Sequence, residues 1–160
     1  MKQNQVSKTK TILLAAFTAG TLDMLAAIIV YTLIMKVVTV NQLLHGIAAG
    51  LFGQTVFGSE WVMALTGLLL HYIIAFCFAG AYFFAFRYIS FLKKNALISG
   101  LLYGIFVWAV MNLVVVPLSQ AYHAPLTWPG FLRSLIILMI CIGLPVSFIT
   151  AAYYKKITAW

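Results

Sequence analysis

Two ionisable side chains, Asp23 and His71, lie deep inside long apolar stretches, and together they are the residues of this chain best suited to chemistry. A carboxylate beside an imidazole can take up and release a proton, because burial disfavours the charged form of each while pairing favours it. The stretch from Thr11 to Met35 holds no charge except Asp23 and is bracketed by Lys10 and Lys36. A carboxylate near a bilayer centre costs about 3 kcal/mol on insertion scales, so it needs a partner, a proton or a task. At 1.5 Å per residue Asp23 sits about 18 Å beyond Thr11, and His71 about 15 Å beyond Trp61, nearly one depth in a core of about 30 Å. Consecutive spans run antiparallel, so an Asp23–His71 contact is expected, either as a titrating pair or as a static hydrogen bond. Tyr103 and Asn112 are the alternative partners for Asp23.

Other chemistry has less support in the residues. Cys77 and Cys141 each stand alone in apolar segments with no CxxC, which reads as two small buried hydrophobes. His45, His123 and Glu60 fall on one side of the chain's topology, but no spacing among them demands a metal. His71 is the one histidine within a span, whereas a bis-histidine haem needs two. Nucleophile–base motifs and phosphate-binding glycine loops are missing from the sequence. The expectation is a protein without cofactor or metal that is not an enzyme.

The elements that must position these residues are set by composition. Hydrophobic residues make up 64% of the 160 residues and charged residues 8%, against about a quarter charged in soluble domains. Too little polar surface exists to face water, so the partner solvent is a lipid bilayer. The net charge of +8 does not indicate nucleic acid, because the Lys and Arg residues fall in short clusters between apolar runs.

Four runs are long enough to span as helices: Thr11 to Met35, Trp61 to Phe86, Ala96 to Val116 ended by Pro117, and Phe131 to Tyr154 interrupted by Pro145. The first run is too long for the apolar core of a cleaved signal and reads as a retained helix. The predicted fold is all-α, one integral membrane four-helix bundle over residues 1–160. Lys2, Lys8, Lys10, Arg87, Lys93, Lys94, Lys155 and Lys156 fall on one side, with only Lys36 and Arg133 opposite. Both termini are therefore expected in the cytoplasm, with the chain in a cell's inner membrane.

The first outer loop carries its own helical pattern over residues 41–53. Leu43, Leu44, Ile47, Ala48, Leu51 and Phe52 share one face, opposite Gln42, His45, Gly46, Ala49, Gly50 and Gly53. It reads as a short amphipathic helix in the interface, or alternatively a re-entrant segment held by its small residues. The second outer loop, with Pro117, Pro125, Pro129, Tyr122 and Trp128, is expected to form a stiff cap at headgroup level. Ala16 and Gly20 form a small strip one turn below Asp23, and Gly100 and Gly104 a GxxxG extended by Ser99; the first and third helices are expected to cross there.

The order of these features resembles a family. Ala19, Gly20 and Asp23, then His71 to Tyr82, then Gly100 and Gly104, and Met111 to Ser119 look like the small bacterial inner-membrane proteins of the YagU-like group. The resemblance implies a bacterial cytoplasmic membrane and a role in acid or envelope stress, with no known reaction. The leading expectation is a proton-coupled or small-solute transport component using Asp23 and His71, with Asn112 as polar neighbour. The alternative is a non-catalytic scaffold in which Asp23 is structural glue and the small strips bind a second copy or another membrane protein.

Overall fold

In hydrocarbon every backbone amide must be bonded within its own segment, so apolar runs of this length become helices. A computed structural model describes residues 7–53, 58–120 and 127–158. The described elements are all helical: α1 (Lys8–Ile34), α2 (Val40–Phe52), α3 (Glu60–Tyr88), α4 (Ser90–Lys94), α5 (Ala96–Leu118) and α6 (Trp128–Ile157). Of these, α1, α3, α5 and α6 are 27, 29, 23 and 30 residues long and apolar enough to cross a membrane. The chain is an all-α, multi-pass membrane protein built as a four-helix bundle. Lys8, Lys10, Arg87, Lys93, Lys94, Lys155 and Lys156 gather at one end of the bundle, the basic end; Lys36, Glu60 and Arg133 lie at the other, the loop end.

Local chemistry sets the helix ends. The Asn95 side-chain oxygen accepts from the amides of Leu97 and Ile98 at 2.9 and 3.2 Å, which starts α5 directly after the basic α4 turn. Thr39 and Gln42 form a reciprocal capping box at the start of α2. Lys36 ends the α1 segment in the left-handed region, at φ 53°.

Pro117 does not end α5 as expected; the helix continues to Leu118. Proline has no amide to offer the carbonyl one turn back, and the chain accommodates this by widening its turns. Residues Met111–Val115 of α5 and Met139–Gly143 of α6 adopt i→i−5 bonding, and in each the proline (Pro117, Pro145) follows two residues after the wide segment. A third wide segment, Ile28–Ile34, closes α1. The stiff cap expected beyond Pro117 falls largely on Tyr122, His123 and Pro125, which lie outside the described residues.

The four spans pack in the lateral order α3, α1, α6, α5; α1 runs along α3 and α6, and α6 runs along α5. Glycines decide which seams are tight. A methyl group on Gly100 would lie 2.9 Å from the Gly143 carbonyl oxygen, and one on Gly104 would collide with the Met139 backbone. A methyl group on Gly20 would press on the Tyr72 ring and the Ala75 methyl at 3.1 and 3.2 Å. The expected crossing of the first and third helices is therefore replaced by two others, α5 on α6 and α1 on α3. The strips are used, with different partners.

The core fills the basic half of the bundle: Ala15, Ala16 and Ala19 of α1, Ala79, Tyr82 and Phe86 of α3, Val107 of α5, and Ile142 and Val146 of α6. At the loop half, α2 folds back along α3. A methyl on Gly67 would collide with the Leu44 carbonyl, so the two backbones touch about 10 Å below the start of α3. Ala48 and Ala49 bury the inner face of α2.

Candidate functional site

Three polar arrangements and one cavity are candidates. The first is the seam between α1 and α3. His71 Nε2 lies 2.8 Å from the Gly20 carbonyl oxygen; a carbonyl only accepts, so Nε2 carries the hydrogen and donates. One residue on, the Thr21 and Tyr72 hydroxyls bond at 2.9 Å, and the Tyr72 ring stacks on Phe17 with centroids 5.5 Å apart.

This corrects the expected Asp23–His71 bond. Gly20 faces His71, Thr21 faces Tyr72 and Gly80 approaches Ile12, so the antiparallel register sets residues 68–70 level with Asp23. His71 lies about two residues, or about 3 Å, nearer the basic end and reaches the carbonyl of Gly20, which has no side chain to cover it. Asp23 is half-buried, within electrostatic reach of His71 and of the Cys141 thiol, and makes no hydrogen bond among the described residues. Neither alternative partner replaces His71. Tyr103 donates to the Phe78 carbonyl at 2.6 Å, and the Asn112 amide nitrogen donates to the Trp108 carbonyl of its own helix at 3.0 Å.

A second arrangement lies nearer the basic end. The Tyr82 hydroxyl of α3 bonds Ser99 of α5 at 2.9 Å and Ser147 of α6 at 2.8 Å, and the two serines meet at 3.1 Å. Ser147 also donates to the Ala96 carbonyl at 2.7 Å. All three side chains are buried, and the Tyr103 ring meets Tyr82 edge-on at 4.6 Å. Three spans are thus tied at one point, one turn of α6 from a buried Thr150 hydroxyl with no partner among the described residues. Sequence reasoning noticed Ser99 and Tyr82 separately and missed Ser147. Its signal was present: Ser147 and Thr150 stand at i, i+3 on a span that is otherwise almost wholly apolar.

Nearer the loop end, α5 stacks Trp108 against α6, its Nε1 donating to Ser134 at 2.8 Å. His45 Nε2 donates to the Glu60 carbonyl at 2.9 Å, which fastens α2 to the start of α3.

The cavity occupies the gap that the seams leave. Because α3 and α5 make no tight backbone seam, a space of about 1060 Å³ opens between their loop-end halves, under α2. Leu70 and Ile74 of α3 and Met111, Val114 and Val115 of α5 form its deep walls; the last three belong to the wide turns before Pro117. Gln42, His45 and Ser119 supply the polar atoms near its mouth. Tyr103 joins α5 to the Phe78 carbonyl of α3 about one turn from Ile74 on the basic side of the cavity, and the tyrosine–serine cluster lies beyond it; none of these side chains lines the cavity. Its volume is at the top of the range for small-molecule sites, about 300–1,000 Å³. Asp23 and His71 do not line it.

The fold and these sites define a multi-pass membrane protein with a large apolar cavity open at one end of its bundle. No protein-family model matches the chain, and neither the curated proteins nor the solved structures contain a match.

Proposed function

We propose that this chain is a non-enzymatic transport component that receives an apolar or amphipathic solute in the cavity between α3 and α5. The carrying observation is the cavity itself: about 1060 Å³, lined by Leu70, Ile74, Met111 and Val114, with hydrogen-bonded tyrosines joining the helices on its basic side. With the basic end in the cytoplasm, as its seven described Lys and Arg residues favour, the cavity faces outward and the Tyr82–Ser99–Ser147 cluster is the closed inner gate. The His71 imidazole and the Tyr82, Ser99 and Ser147 hydroxyls are engaged in helix-to-helix bonds, which supports a binding role over a catalytic one. A scaffold using the small-residue strips has less support, because Ala16, Gly20, Gly100 and Gly104 are all buried against the chain's own helices.

The test is transfer in proteoliposomes of fluorescently labelled amphiphiles, each quenched from outside by a membrane-impermeant reductant. Transfer of at least one probe above protein-free vesicles, accelerated by Tyr82→Phe, is the expected result. Transfer of none, with the protein folded by circular dichroism, refutes the reading.

A further inference from the structure

Resting on that reading of the cavity as a binding site, we propose that its ligand is a single-tailed long-chain alcohol, with its hydroxyl held between Gln42 and His45 and its chain laid down against α3 and α5. Three observations carry this. First, the cavity has a polarity gradient. Its deep wall is aliphatic and thioether only, whereas Gln42 and His45 lie on the rim one turn apart on α2. A ligand that fits must be apolar along most of its length and polar at one end.

Second, the hydrogen bonds already made fix what the rim can offer. Gln42 uses its side-chain oxygen to accept from the Thr39 amide at 2.9 Å, which leaves its nitrogen as a donor. His45 spends its Nε2 hydrogen on the Glu60 carbonyl, which leaves Nδ1 as an acceptor. A hydroxyl both donates and accepts, so one hydroxyl satisfies the pair. Among the described residues neither Lys nor Arg lines the cavity, so a phosphate-bearing lipid head would lack the cationic partner that such groups select.

Third, Gly46 directly follows His45, lies one turn on from Gln42 and also lines the cavity, and a methyl built on it meets nothing within 4 Å. That open space adjoins the rim pair, where the first methylenes of a chain must pass. It also supplies a blocking substitution, since the side chain of Gly46→Leu would start into that open space beside the cavity.

The experiment measures binding of radiolabelled oleyl alcohol to the purified full chain in nanodiscs, with competition by octadecane, oleic acid and a phosphatidylglycerol. Saturable binding is expected, displaced by other long-chain alcohols at least tenfold better than by the alkane, the acid or the phospholipid. Gly46→Leu should abolish it with an unchanged circular dichroism spectrum, and His45→Phe should erase the preference for alcohol over alkane. Equal competition by octadecane, preference for the phospholipid, or full binding by Gly46→Leu overturns the proposal. The competition series uses only the unmodified chain, so it decides the matter even where a variant fails to fold. Alcohol binding without transfer in proteoliposomes defeats the transport reading alone, and transfer of another amphiphile without alcohol binding defeats this inference alone.

Discussion

Replacing Gly67 by alanine should move the one helix that roofs the cavity, and the geometry fixes both sign and size. The new methyl would collide with the Leu44 carbonyl oxygen and stand 2.8 Å from its carbon and 3.3 Å from its Cα. These are backbone atoms of α2, itself tied down by the Thr39–Gln42 capping box and the His45–Glu60 bond, so no rotamer change relieves the clash. The helix must shift as a body by about 1 Å to restore ordinary contact, and overpacking of this kind costs about 1–3 kcal/mol. Alanine's advantage of about 1 kcal/mol over glycine in helices offsets little here, because a spanning helix is already formed in lipid before it packs.

Gly46→Ala is the matched control. It makes the same chemical change on α2, where no atom lies within 4 Å, and α2 is too short to be helical without docking. Relief of glycine's entropy loss should stabilise the protein by about 0.5–1 kcal/mol. At about 2–4 °C per kcal/mol for a chain of this size, Gly67→Ala should melt about 5 °C lower and Gly46→Ala about 2 °C higher. Thermal unfolding in detergent, followed by far-ultraviolet circular dichroism, reads both. Gly67→Ala melting at or above the parent, or both variants moving in the same direction, would refute the packing of α2 on α3 described above.

Other expectations follow from the polar seams. Ser147→Ala should destabilise more than Tyr82→Phe, by about 1.5 against about 0.6 kcal/mol, because the two serines still bond each other when only the phenol hydroxyl is removed; denaturant titration in mixed micelles ranks them, and the reverse order counts against the cluster. In a double-mutant cycle of Asp23→Asn and His71→Phe the coupling should fall below about 0.5 kcal/mol, since the imidazole bonds Gly20 and not the carboxylate; about 1.5 kcal/mol or more would restore a bonded pair. Lys36→Gly should raise stability by about 1 kcal/mol by relieving a left-handed backbone, and an unchanged melting temperature would show that lysine carries no strain there.

The spans were legible because length and apolarity leave a membrane segment one choice of backbone. The α2 helix was legible too, from a single apolar face, although its Thr39–Gln42 capping box was not read from the sequence. The Asp23–His71 bond was not, although both residues were found. Depth arithmetic set the two residues about 3 Å apart, as the register does, but depth does not fix which way a ring points, and Nε2 reaches the carbonyl of Gly20. The two prolines were read as a stop and an interruption, when each is absorbed by a wide segment ending two residues before it. Gly67 and Gly143 escaped notice because neither belongs to a GxxxG pair; each faces a partner on another helix, and such cross-helix pairs are invisible within one segment.

The same glycines explain why the cavity is where it is. Close seams form where a side chain is missing: Gly20 between α1 and α3, Gly100, Gly104 and Gly143 between α5 and α6, Gly67 between α3 and α2. The loop-end faces that α3 and α5 turn toward each other have no such residue; they carry Leu70, Ile74, Met111, Val114 and Val115. Toward the basic end the same two helices are joined by Tyr82 and Tyr103, whose rings span a gap too wide for backbone contact. Large side chains bridged by hydroxyls below, large side chains without bridges above: that contrast closes one end of the bundle and leaves the other open. It places the cavity by sequence, independently of Asp23, and it separates two roles that the sequence expectation combined in the half-buried Asp23 and His71. The α1–α3 seam holds His71 as a structural donor, while the cavity belongs to α2, α3 and α5.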